Sequence, residues 1–226
     1  MSKVLSETSN QTKFLVVDDH EIVLNGTLDI LKKQYPDAKI FTALTAQKAI
    51  EQMEINQPEL VVTDLSIPEK PGENARVDTG IKLLKTLMKD YPTLNLVVQS
   101  TYVEALVRIK LDIDAHQGGF TVADKSISSQ EMLTRVDWAI QGLTHTKDIR
   151  GKLKGLEVKQ EWLTLLSLAF EEGLQDKEIA RRMQISERTV RNYWTKIQDT
   201  LGVYPEAGKN IRIQTQIRAR EEGLID

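Results

Sequence analysis

Cysteine is absent from this chain, which removes disulfides, thiolate chemistry and cysteine-ligated zinc from consideration. No apolar run is long enough to cross a bilayer, and the polar opening "MSKVLSETSNQTK" has no signal-peptide core. Internal repeats and low-complexity segments are also missing. Around Gly118 and Gly119 there is no P-loop or dinucleotide fingerprint, so that pair reads as a turn. A cytoplasmic protein with no membrane contact is the expectation that remains.

What is present is ordinary in amount and uneven in placement. The 226 residues are 40% hydrophobic and 28% charged, with a net charge of −3, which suits one large domain or two small ones. Residues 1–150 hold 17 basic against 21 acidic side chains, and residues 151–226 hold 13 against 12. That contrast is mild. The local run "KEIARRMQISERTVRNYWTK" is more informative, with six basic residues and two acidic ones.

Along the chain, strand-like and helix-like stretches alternate. "KFLVVDDH", bounded by charge, "AKIFTAL", "ELVVTD", "LNLVVQS" and "GGFTVADK" read as strands. Between them, "EIVLNGTLDILKKQYP" places Ile22, Leu24, Leu28 and Leu31 at helical spacing. "TAQKAIEQMEINQP" opens at Thr45, and "DTGIKLLKTLMKDYP" follows. "YVEALVRIKLDIDAHQ" is expected to be helical, with a less regular pattern. In "SSQEMLTRVDWAIQG", Ser128 and Glu131 fit a capping box and Gly142 a C-terminal cap. Five such alternations predict an α/β fold with a parallel sheet covered on both faces.

In sheets of that kind ligands bind beyond the carboxyl ends of the strands, near the point where strand order reverses. For a flavodoxin-like order that point lies between strands one and three. Strand one runs into Asp18 and Asp19, and strand three into Asp64, so three carboxylates are expected in one crevice. Like charges so close need a cation or a retained proton. An all-oxygen set suits Mg²⁺, and a metal beside a carboxylate nucleophile can organise phosphoryl transfer. Each aspartate taken alone is more simply a turn or cap residue; their convergence is what favours a site. His20 reads as a solvent-facing helix start rather than a ligand.

Carried by "VVDDH", "VVTDLSIP", "VVQST" and "DKS", residues 13–143 resemble the CheY-like receiver domain of two-component response regulators. The resemblance implies a (βα)5 flavodoxin-like domain. It implies that Asp64 accepts a phosphoryl group from a sensor histidine kinase. Mg²⁺ would be held by Asp19, Asp64 and the backbone carbonyl of Ser66, with Asp18 acting through water. Ser100 and Lys125 would contact the phosphoryl oxygens. Two departures stand out. Residues 69–79 delay the expected glycine to Gly80, an inserted loop of about eight residues by comparison with the family pattern. Counting three residues from Phe120, the candidate switch aromatic, reaches Ala123, whereas the lysine is Lys125.

After a polar, glycine-bearing linker (144–156), residues 157–226 read as a small all-α domain. In "ISERTVRNYWTKIQDTL" the residues Val190, Trp194, Ile197 and Leu201 gather on one helical face. Arg188, Arg191, Asn192 and Thr195 gather on the other, with Lys196 at its border. Ser186 is the expected N-cap. A solvated basic face is one explanation, and base reading by arginine and asparagine is another. With the short helix "DKEIARRMQ" before it, the segment resembles the LuxR-type helix-turn-helix of NarL/FixJ regulators. That resemblance implies double-stranded promoter DNA as partner and a homodimer when active. Arg191, Asn192 and Thr195 would read bases, and Arg188 and Lys196 would contact phosphates, with Lys177 and Arg182 as further candidates. Tyr193 and Thr200 depart from the usual pattern, as does the longer "YPEAGKN" connection.

These resemblances imply a phosphorylation-controlled transcriptional regulator whose own chemistry is self-modification, not turnover. Two other readings compete. One is a phosphorylation-independent adaptor using the receiver and its insertion as a binding module. The other is a Mg²⁺-dependent phosphohydrolase, against which Ser66 and His20 stand where that class would need a second aspartate.

Overall fold

The structure is a computed structural model that describes residues 11–146 and 158–226. Most of the expected linker therefore lies outside the described residues, as does nearly all of the polar tail expected at 1–12. Six strands form one parallel sheet in the order β2-β1-β3-β4-β5-β6. They are β1 (Lys13–Val17), β2 (Lys39–Ala43), β3 (Leu60–Thr63), β4 (Asn95–Ser100), β5 (Phe120–Asp124) and β6 (Thr144–His145). The reversal of strand order falls between β1 and β3, as a flavodoxin-like order requires. The sixth strand is an addition to the five expected: Thr144 and His145 pair in parallel with Phe120 and Thr121. Two residues are too few to show a period in sequence.

The connecting helices are α1 (Glu21–Gln34), α2 (Ala46–Asn56), α3 (Val77–Asp90), α4 (Lys110–Ala115) and α5 (Ser129–Ile140). On one face of the sheet Leu15, Val61, Leu65 and Phe120 pack with Met53, Leu84 and Leu106. On the other, Phe14, Val16 and Val62 pack with Leu24, Leu31, Met132 and Val136. β1 and β3 are thus apolar on both sides, the property of strands buried beneath two helical layers. Ile22 is 89% exposed. Two residues before Leu24, it falls about 200° from it and off the stripe that buries Leu24 and Leu31.

The caps form as the sequence suggests. Thr45 accepts from Lys48 N, and Ser128 and Glu131 make a reciprocal capping box. Gly142, at φ +76°, follows α5 in the left-handed region. The segment expected to be one helix after β4 instead starts as a 3-10 helix (Val103–Ile109) before α4. So long a 3-10 run is uncommon and often marks a strained or moving segment.

The insertion is an ordered turn. An antiparallel bridge joins Ile67 to Arg76. The carbonyls of Pro68 and Glu69 accept from Ala46 N and Gln47 N, satisfying donors that the first turn of α2 leaves free. Its last residues, from Val77, already belong to α3. Gly80 then passes so close to Leu65 that a Cβ there would lie 2.2 Å from the Leu65 carbonyl oxygen. That contact explains why the glycine is needed after the longer loop.

The second domain holds α6 (Gln160–Phe170), α7 (Asp176–Arg182), α8 (Glu187–Leu201) and α9 (Ile211–Glu221). Its core joins Leu165, Leu166, Ile179, Val190, Trp194 and Ile197. Asp176 ties three helices together. It accepts from Trp194 Nε1 at 3.1 Å and from Arg212 at 2.9 Å, while the Arg212 guanidinium lies 3.5 Å over the Trp194 ring. Among the described residues no helix is long and apolar enough to cross a membrane.

A small seam joins the domains. Arg108, in the 3-10 helix, donates to Asp78 Oδ1 (2.7 Å), Asp226 Oδ1 (3.0 Å) and the Gly223 carbonyl (2.7 Å). Asp78 N also donates to Asp226 Oδ2. Gly223, at φ +68°, sits where a Cβ would meet Ala105 N at 2.9 Å. Val107 touches the cores of both domains.

Candidate functional site

The strand ends set the site. Backbone pairing carries Asp18 and Asp64 past the last ladder residues of β1 and β3, where Asp64 N donates to the Val17 carbonyl at 2.9 Å. Both carboxylates are nearly enclosed, at 3% and 4% exposure. Ser100, fully buried, ends β4, and Lys125 follows β5, its amide donating to the Ser100 carbonyl. Four strands therefore deliver four polar side chains to one end of the sheet.

Lys125 bridges the two buried aspartates. Its Nζ lies 2.7 Å from Asp18 Oδ2 and 2.6 Å from Asp64 Oδ2. Burial alone would lower the ammonium's pKa; hydrogen bonds and charge from Asp18 and Asp64 outweigh it, so the net shift is upward. Asp64 Oδ1 accepts from Leu65 N at 2.6 Å and Ser66 N at 3.3 Å. Thr63 Oγ1 donates to the Asp64 carbonyl. The carboxylate is held rigid, with its Oδ2 toward the cleft and the ammonium.

Asp19 and His20 complete the rim. Donor atoms of Asp18, Asp19, His20 and Asp64 all lie within 4.8 Å of one another. Asp19 Oδ1 is screened from solvent without a hydrogen-bond partner. An oxygen screened from solvent, met by the His20 imidazole at 3.0 Å but by no aligned hydrogen bond, and set beside two further carboxylates, fits a hard divalent cation, which would relieve the like-charge repulsion. Ser66, half-buried and two residues after Asp64, offers its carbonyl as a candidate donor.

Of the residues singled out from sequence, Asp18, Asp19, Asp64, Ser66, Ser100 and Lys125 gather at this end. Phe120 does not. Its ring is fully buried in the core, and it opens β5, about 16 Å of strand from Lys125. Ser100 Oγ is already engaged, accepting from Tyr102 N at 3.2 Å, and Tyr102 is half exposed. Sequence reading passed over three features: the lysine bridging two aspartates, the Thr27–Gln99 side-chain bond between α1 and β4, and the Arg108 seam. Each joins residues far apart in the chain, so no local spacing announces it. Beside the site and along the seam lies a cavity of about 330 Å³, lined by Ser66, Arg76, Tyr102, Arg108, Arg220 and Asp226 among others.

In the second domain α8 splits as its pattern predicts. Val190, Trp194, Ile197 and Leu201 are buried, whereas Arg188, Arg191, Asn192, Thr195 and Lys196 are exposed. Ser186 caps the helix through Thr189 N, and Gln184, at φ +56°, makes the tight turn from α7. Lys177 is exposed, and Arg182 pairs with Glu172. Among the described residues the first domain leaves the polar side of α8 open, since the seam engages the segment after α9.

Residues 14–137 match the response regulator receiver domain family, and residues 159–206 the luxR family of bacterial regulatory proteins. The chain is 29% identical to the DNA-binding transcriptional activator DevR/DosR of Mycobacterium tuberculosis, over 84% of this chain and 88% of that one. It is 25% identical to the DNA-binding transcriptional activator EvgA of Escherichia coli K12, over 83% and 90%. In fold it is similar to RcsB of Salmonella enterica serovar Typhimurium, solved bound to promoter rprA with the phosphomimetic BeF3⁻. There the TM-score is 0.59 and identity 20%, over 92% of this chain and 97% of that one.

Proposed function

This chain belongs to the response regulator receiver family and carries a luxR-family domain, and we propose that it is a phosphorylation-controlled, DNA-binding transcriptional regulator. The observation that carries the reading is the Lys125 bridge, which puts an ammonium within 2.6 Å of a buried Asp64 carboxylate at the strand-order reversal. Asp64 is the acceptor. Its Oδ2 forms the new O–P bond as the N–P bond of a sensor kinase phosphohistidine breaks, returning the electron pair to that imidazole. Asp18, Asp19, Asp64 and the Ser66 carbonyl would hold Mg²⁺, which when bound offsets the charge gathered on the transferring group.

The chain's own residues do the rest. Lys125 keeps its proton and moves from the free carboxylates to the phosphoryl oxygens. Ser100 Oγ turns to donate to the same group, which releases Tyr102 N and so disturbs the start of the 3-10 helix. Because the chain modifies itself once and stores the result, it acts as a switch and not as a turnover enzyme. Arg191, Asn192 and Thr195 are the base readers, and Arg188 and Lys196 the phosphate contacts. Their exposure on one face of a capped helix supports that assignment. Promoter DNA would be bound by a homodimer, in the cytoplasm.

The test is intact mass after incubation with Mg²⁺ and a small phosphoryl donor, beside Asp64→Ala. One Mg²⁺-dependent phosphoryl adduct, absent from the variant, is the expected result. An adduct that persists in Asp64→Ala would overturn the assignment.

A further inference from the structure

We infer that His20 is a nitrogen ligand to the cation of this site, and that it widens the site's choice of metal from Mg²⁺ toward first-row transition ions. The inference rests on the metal reading given above and adds to it a donor of a different kind. His20 Nδ1 lies 3.0 Å from Asp19 Oδ1 and 3.4 Å from Asp18 Oδ1. An octahedral ion with bonds of about 2.1 Å sets neighbouring donors about 3 Å apart and opposite ones about 4.2 Å apart. The whole donor set, within 4.8 Å, has that scale.

His20 starts α1 and faces solvent, as its sequence position suggests, and further details support its imidazole as a ligand as well. His20 occupies the N-cap of α1, yet its side chain makes no capping hydrogen bond. Its backbone N–H is held by Asp18 Oδ1 at 2.8 Å, which ties the residue to the carboxylate it would share a metal with. Lys125 takes Oδ2 of Asp18 and Asp64, so the ammonium and the imidazole approach Asp18 from different oxygens. Asp19 Oδ1 faces the imidazole as an ion-pair contact without an aligned hydrogen bond, so an ion could come between the two without breaking one. The ring is otherwise open to solvent, 61% exposed on its side chain, and can turn onto an ion without repacking the core.

The donor chemistry decides the consequence. Mg²⁺ is held by oxygen and gains little from imidazole, whereas Mn²⁺, Co²⁺ and Ni²⁺ accept nitrogen readily, with affinity rising along that series. Three aspartates alone favour the hard ion. Three aspartates and a histidine favour a mixed oxygen-and-nitrogen set.

Pulsed EPR on the full chain loaded with Mn²⁺ tests this directly. The expected result is modulation from a directly bound imidazole nitrogen in the natural chain and its loss in His20→Ala. The chain has two other histidines, His116 and His145, and His116→Gln should leave the signal unchanged. In parallel, Mn²⁺ titration should show about a tenfold weaker affinity in His20→Ala, the low end for loss of a group that tunes a site, with Mg²⁺ affinity within about twofold. Bound Mn²⁺ without nitrogen modulation, or modulation that survives in His20→Ala, would overturn the inference while leaving the metal reading intact. If Mn²⁺ does not bind, or binds equally well to Asp64→Asn, the metal reading fails and this inference with it.

Discussion

Replacing Arg108 by alanine removes a guanidinium that bonds Asp226 and the Gly223 carbonyl across the domain seam and Asp78 beside it. Its side chain is 11% exposed and those of Asp78 and Asp226 are 27% and 20% exposed. Hydrogen bonds to charged groups contribute about 1.5–3 kcal/mol each when sheltered. Only the bonds to Asp226 and the Gly223 carbonyl cross the seam; partial exposure screens them, so about 2 kcal/mol for those two together is a fair magnitude. That shifts the balance between closed and separated domains about 30-fold. The loss also leaves Asp78 and Asp226 facing each other. Burial, then the charge of Asp226, already raises Asp78 above its ordinary 3.8, and Arg108 opposes that rise. The part of that rise due to the charges of Asp226 and Glu171 exists only with the domains together, so for that part Asp78 binds its proton more tightly in the closed form. The seam should therefore be tighter at pH values near 3.8 and lose that increment as pH climbs through the raised value, more so without Arg108.

Because the chain has no cysteine, spin labels on Lys48→Cys and Arg181→Cys would report one distance, from α2 in the receiver to α7 in the second domain. The natural chain should give a narrow distribution, and Arg108→Ala a broad one extending to longer distances. Each domain should keep its own unfolding transition, since each has a separate core. A distribution unchanged by Arg108→Ala would refute the reasoning that this guanidinium holds the seam.

Three other expectations follow from the same contacts. Lys125→Met leaves two buried aspartates unneutralised, and urea denaturation should show a loss of about 3 kcal/mol, partly restored by Mg²⁺. The raised Lys125 pKa means the lysine's contribution is present below its unfolded value of about 10.4 and fades as pH rises through the folded one. Gly80→Ala drives a Cβ into the Leu65 backbone, and the receiver should lose more than about 2 kcal/mol in the same assay. In salt-dependent DNA titrations, Lys196→Ala should weaken binding to all sequences and reduce the salt slope by about 1, whereas Arg191→Ala should cost about 1–3 kcal/mol and relax selectivity at one base position.

How much of this could be read from the chain depended on how local the cause was. Thr45, Ser128 and Ser186 announced helix starts because a cap bonds within three residues. Leu24 and Leu31, and Val190 with Trp194, marked buried faces because a helix repeats every 3.6 residues. Asp18, Asp19 and Asp64 could be placed together because a parallel sheet sends all its carboxyl ends to one side. The choice of partners could not be read this way. Lys125 bonds residues 107 and 61 positions away, and Arg108 one 118 away. Those contacts depend on side-chain reach, loop path and the packing of one domain on the other. The two-residue β6 and the 3-10 segment carry no period of their own. The sequence by itself determined five strands and the capped helices, the carboxylate end of the sheet and the two faces of α8. Only the tertiary structure decided which cation meets which carboxylate, that His20 joins the cluster, and that the seam leaves the polar face of α8 open. Periodic patterns encode burial; pairings across the chain exist only once the backbone has brought their ends together.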